Sequence, residues 1–96
     1  YIGVQYQMID RKTAIANGLV EGAYVMSVVS DSPAEKAGIR EEDVIIKIDD
    51  TRILSSDEQS ITKTLLDKKV GETIRVTIWR DGAEKTFAVL LEQFES

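Results

Sequence analysis

Short blocks of alternating and clustered apolar residues run along this chain, and their periods predict a mixture of strands and brief helices. Tyr1-Ile2-Gly3-Val4-Gln5-Tyr6 sets a glycine among aromatic and branched residues that favour a strand. Two readings account for that glycine. It marks a bulge or a close backbone crossing, or it lets a partner approach the main chain while neighbouring N–H groups turn toward an anion such as a carboxylate. In the second reading Ile2, Val4 and Tyr6 line one face.

Asp10 is placed to cap a short helix over residues 11–17, which Gly18 closes with Leu19 tucked beneath. Residues 22–29 are almost continuously apolar, as expected of a central strand covered on both faces. Ser32-Pro33-Ala34-Glu35 is a capping box with proline at the first helical position, and Gly38 ends that helix early. So short a helix survives only by packing, here through Ala34, Ala37 and Ile39. Val44, Ile46 and Ile48 then alternate with Ile45 and Lys47 as a strand, and Asp49-Asp50-Thr51 turns the chain into Arg52-Ile53-Leu54.

Ser55 with Glu58 offers a second capping box, opening a longer helix over about residues 57–67 that Gly71 follows. Ile61 and Leu65 share one face and Leu66 lies one position around. That stripe is wide enough to touch a sheet on one side and border something else on the other, although a plain amphipathic helix buried against the core explains it too. The chain then forms a hairpin. Ile74, Val76 and Ile78 alternate inward, Asp81-Gly82 makes the turn, and Phe87, Val89 and Leu91 alternate on the return. Trp79 falls on the opposite face, as partly buried packing.

Ninety-six residues suffice for one core, so 1–96 is read as a single domain. A net charge of −5 argues against nucleic acid as a partner, since phosphate binding needs clustered Lys and Arg, and Arg11-Lys12 and Lys68-Lys69 are isolated pairs. With no histidine and no cysteine, neither a Ser-His-Asp set nor the usual zinc ligand sets can be assembled from these residues. The reading therefore assigns no catalytic residue, no metal ligand and no cofactor. Asp49-Asp50 is a carboxylate pair, but EF-hand spacing is missing and a turn explains both residues. No apolar run approaches the about 18 residues of a membrane span. The chain starts in strand-like sequence without a basic-then-apolar leader, which favours a piece excised from a longer protein.

The order of these elements resembles a PDZ domain over almost the whole chain. The resemblance is carried by Ser32-Pro33-Ala34-Glu35-Lys36-Ala37-Gly38-Ile39, by Asp43-Val44-Ile45-Ile46-Lys47-Ile48, by Gly71-Glu72-Thr73 and by Arg80-Asp81-Gly82. It implies an α+β fold: a small, partly open antiparallel β-barrel or sandwich with one longer and one or two short helices. Tyr1-Ile2-Gly3-Val4 looks like the carboxylate-binding loop of PDZ domains in high-temperature-requirement (HtrA/Deg) serine proteases. The strand layout looks bacterial, with residues 86–91 filling the place of a strand that precedes this loop in animal domains. One departure is Asp50-Thr51, where many relatives carry Asn-Gly.

The resemblance further implies a non-catalytic module that captures the hydrophobic C-termini of unfolded proteins for an attached trypsin-like protease. A peptide would add as a strand beside residues 3–7, a mode for which PDZ domains are a standard example. Its carboxylate would meet the amides of Ile2, Gly3 and Val4. The implied peptide-binding residues are Tyr1, Ile2, Gly3, Val4, Gln5, Tyr6, Ile61 and Leu65. Without the histidine that many animal domains use to choose a Ser or Thr, selection rests on apolar side chains. The parent would be a bacterial serine endopeptidase of the periplasm or cell envelope, and a homo-oligomer is compatible with it. Two alternatives remain open at this point: a scaffold domain with no protease in the same polypeptide, and the PDZ domain of a tail-specific or membrane-embedded protease.

Overall fold

A computed structural model describes residues 2–55, 60–66 and 68–92. In chain order the elements are β1 (Val4–Ile9), α1 (Arg11–Ala16), β2 (Gly22–Val28), α2 (Pro33–Ala37), β3 (Val44–Ile48), β4 (Thr51–Arg52), α3 (Ser60–Leu66), β5 (Thr73–Arg80) and β6 (Ala83–Leu90). The strands form one open antiparallel sheet in the order β1-β2-β3-β5-β6, with β4 paired to β3. Strands predominate and the helices are short, as the α+β reading expected.

The local signals act as their chemistry dictates. Asp10 Oδ1 accepts from the Thr13 amide at 2.7 Å, and α1 closes with Leu19 N donating to Ala14 O at 2.8 Å. At α2, the Ser32 hydroxyl accepts from the Glu35 amide at 3.2 Å while Glu35 Oε1 accepts from Asp31 N at 2.9 Å. The hairpin pairs Thr73 with Leu90 through Arg80 with Ala83 without a slip. Its turn residues Asp81 and Gly82 have φ of 52° and 82°, the pattern of a type I′ turn. Ile74, Val76, Ile78, Val89 and Leu91 are buried as expected, Phe87 is half-buried against them, and half-buried Trp79 lines a cleft with Leu19 and Tyr24.

One expectation is refined and another corrected. In β3 the apolar set Val44, Ile46 and Ile48 is buried as its alternation suggests, but Ile45 is buried too, and it is Ile45 with Ile48 that joins the main core cluster, because the pairing with β5 slips between Ile45 and Lys47. A bulge puts an extra residue, Ile46, into the strand and resets which side chains face inward. β2 is not covered on both faces along its length: Met26 is 51% exposed. There the register with β1 passes from Gln5–Ser27 to Tyr6–Val25, leaving Met26 without a partner.

β2 and β3 approach closely at Gly22. A Cβ on Gly22 would lie 2.4 Å from the Ile45 carbonyl oxygen, so only glycine fits. The other end of this region is held by charge. Buried Asp43 accepts from Arg80 Nε and a terminal guanidinium nitrogen, both at 2.7 Å, and from the Arg40 amide at 2.9 Å. Arg80 also donates to Gly38 O at 2.9 Å and sits 5.6 Å from the Phe87 ring centroid. The Asp43 bonds raise the pKa of Arg80 still further.

Candidate functional site

Among the described residues β1 lies at one edge of the sheet and pairs with β2. The segment leading into it is fixed by its carbonyls. Ile2 O accepts from Ala34 N and Gly3 O from Val29 N, each at 2.8 Å. Ala34 N is one of the orphan donors in the first turn of α2, so the loop completes the cap that Ser32 and Pro33 begin. The Ser-Pro-Ala-Glu signal thereby reaches the site: it starts a helix and anchors a loop.

Every peptide bond in the described chain is trans, and a trans unit holds its C=O and N–H in opposite directions. With the Ile2 and Gly3 carbonyls directed at Ala34 of α2 and at Val29, the residue after β2, the N–H groups of Gly3 and Val4 point away from those partners. Gly3 has φ of 88°, a left-handed conformation that costs a residue with a Cβ about 1–2 kcal/mol. The result is a pair of adjacent donors at the mouth of an open sheet edge, a setting that favours an anion.

Side chains along the edge alternate. Ile2 is buried, Val4 and Tyr6 are half-buried against the core cluster, and Gln5 and Gln7 are exposed on the other face. Gln5 Oε1 accepts from the Ser27 hydroxyl at 3.1 Å. Leu65 of α3 is half-buried and packs against the same cluster as Val4 and Tyr6. Ile61 does not line an open wall. It is 2% exposed and belongs to the core itself, because the helix turns that position straight onto the sheet. Tyr1, the Glu58 of the second capping box and the side chain of Leu66 lie outside the described residues.

Both oxygens of the Asp49 carboxylate are engaged within the fold. Oδ1 accepts from Arg75 N at 2.9 Å and Oδ2 pairs with Lys68 Nζ at 2.9 Å. The Arg75 amide, then Lys68, hold its carboxyl below the ordinary value. The Ser55 hydroxyl donates to Glu21 Oε2 at 2.6 Å, and the cap expected of Ser55 with Glu58 lies outside the described residues. Neither long-range partnership has a local sequence signal. The anchoring amides of Ala34 and Val29 were equally hidden, since a backbone donor carries no residue signature.

The PDZ domain family profile matches residues 1–91. Serine protease Do-like HtrA of Bacillus subtilis (strain 168) is 42% identical over 79 residues, covering 80% of this chain and 17% of the relative. A probable periplasmic serine endoprotease, DegP-like, of Marinomonas sp. (strain MWYL1) is 34% identical over 94 residues, covering 96% of this chain and 20% of the relative. The HtrA3 PDZ domain bound to a phage-derived ligand, FGRWV, superposes with a TM-score of 0.74 at 21% identity, covering 94% of this chain and 82% of that one. The chain thus spans no more than 20% of the length of these two curated relatives.

Proposed function

Since the chain belongs to the PDZ domain family, we propose that it captures hydrophobic C-termini of unfolded proteins by strand addition to the free edge of β1. Within a longer parent it delivers them to, or regulates, an HtrA/Deg-type serine protease. The observation that carries this reading is the outward direction of the Gly3 and Val4 amides at the start of that edge. A carboxylate there makes charge-assisted bonds of about 1.5–3 kcal/mol each, which separates a chain end from an internal segment. Beyond the terminus, main-chain bonds along β1 supply affinity, and the alternation of the strand supplies selectivity. Side chains on one face of the peptide meet Val4, Tyr6 and Leu65 and are apolar, while those on the other pass Gln5. Tyr1 and Ile2 complete the loop, and Ile61 supports the helix from the core.

The domain is a binding module on this reading, and the chemistry belongs to the parent: the Ser-His-Asp set of a trypsin-like protease needs an imidazole to take the serine proton, and these residues include no histidine. An extracytoplasmic location follows the description of the Marinomonas relative as periplasmic. NMR titration with the pentapeptide FGRWV tests the site. Amide shifts concentrated in residues 2–8 and 60–66 are expected. Shifts confined to the opposite sheet edge, β6, would remove β1 as the acceptor strand.

A further inference from the structure

On either side of α3 in the chain, Ser55 and Lys68 each meet a carboxylate from elsewhere in the fold. Ahead of it, Ser55 donates its backbone N–H at 3.2 Å and its hydroxyl at 2.6 Å to Oε2 of Glu21, the residue before β2. Beyond it, Lys68 Nζ meets Asp49 Oδ2 at 2.9 Å, with the two side chains 26% and 27% exposed. Asp49 is itself pinned to the sheet. Its N–H donates to Arg75 O at 2.7 Å, its Oδ1 accepts from Arg75 N at 2.9 Å, and it holds φ of 50°.

The helix between these points needs them. The seven described residues of α3 are too few for an independently stable helix, and the contacts that seat its middle are Ile61 in the core and half-buried Leu65 against the same core cluster. Hydrophobic contact fixes depth better than it fixes sliding or tilt, because it is non-directional. Directional bonds at Ser55 and Lys68 supply what it lacks.

We propose that Glu21 and Asp49 are positioning residues that hold α3 at a set distance and tilt against the β1 groove, a role that rests on the peptide site proposed above. Neither touches the peptide. Each acts by keeping the groove in its binding shape, so that a peptide does not bear the cost of ordering the helix. The turn carboxylate in Asp49-Asp50 thereby acquires a purpose other than metal binding.

The test weakens each mooring from the partner's side, leaving Glu21 and Asp49 in place: alanine at position 55 removes the hydroxyl bond and keeps the backbone one, and methionine at 68 removes the ion pair. Ser55→Ala and Lys68→Met are compared with wild type and with Lys68→Arg, using calorimetric titration of FGRWV and amide hydrogen exchange. Each loss should raise Kd about two- to fivefold, the range of partly exposed polar pairs. The double variant should multiply the effects, and Lys68→Arg should restore the wild-type value. Exchange should quicken in residues 61–66 and stay unchanged in β5 and β6. A wild-type Kd in every variant, with only the melting temperature lowered, overturns the proposal. Failure of wild type to bind the peptide is a different result: it removes the groove, and the exchange of α3 still decides whether the two carboxylates hold the helix.

Discussion

Asp43 is 1% exposed and accepts three charge-assisted hydrogen bonds, two from Arg80 and one from the Arg40 amide. Replacing it with alanine removes all three and strands the guanidinium. At about 1.5–3 kcal/mol each, the bonds sum to roughly 4.5–9 kcal/mol before relaxation. Relaxation is available because the Arg80 side chain is 15% exposed and keeps its bond to Gly38 O. The expected net loss is therefore about 3–5 kcal/mol, the usual cost of removing one partner from a buried pair. A domain of this length is stable by about 5–14 kcal/mol, so Asp43→Ala consumes a large share. The melting temperature should fall by at least about 12 °C. Thermal and urea melts followed by circular dichroism would measure the fall in melting temperature and the lost free energy for Asp43→Ala, Arg80→Met and Asp43→Leu/Arg80→Met. The double variant should recover much of the loss, because it buries no unpaired charge. Single variants within about 1 kcal/mol of wild type, or a double variant as unstable as the summed singles, would refute the assignment of this pair as the clamp between β3 and β5.

Gly22→Ala should cost about 3 kcal/mol or more, read from the same melts, because its Cβ would press on the Ile45 carbonyl, a backbone atom that cannot step aside. Ile61→Lys should unfold the domain, at about 4 kcal/mol or more, whereas Leu65→Lys should keep the fold within about 2 kcal/mol and weaken peptide binding; the reverse order would misplace the helix. Stability should also depend on acid. The folded-state pKa values of Asp10 and Asp49 lie below their ordinary 3.8, the first through the Thr13 amide and the second through the Arg75 amide and Lys68. Their contribution is complete above that pH and is lost as pH falls through the folded values. A pH series of thermal melts should thus fall below about pH 4, less steeply in Asp49→Asn, and an identical slope in that variant would contradict the Asp49 bonds.

The parts of the fold legible in the sequence are those fixed by neighbours in the chain. Asp10, Ser32 with Glu35, Gly18, Gly38 and Asp81-Gly82 each act within four residues of themselves, and each is found where its type placed it. What the sequence did not disclose depends on register between distant strands. The bulge at Ile46 changes the inward set of β3, and the slip opposite Met26 exposes a residue in an apolar run. Ile61 shows the same limit in a helix. An apolar stripe states that a face is covered, and only the packed structure distinguishes core from groove at a single position. For the candidate site, the glycine of the loop was visible while its anchoring to Ala34 and Val29 was not.

The central claim is that the Gly3 and Val4 amides receive a terminal carboxylate. Calorimetric titration of FGRWV as the free acid and as its C-terminal amide tests it directly, since the two ligands differ only at the group those amides would hold. Loss of even one charge-assisted bond, about 1.5 kcal/mol, weakens binding about tenfold. The amidated peptide should bind at least that much more weakly, and equal dissociation constants for the two peptides would leave the Gly3 and Val4 amides without a carboxylate to hold.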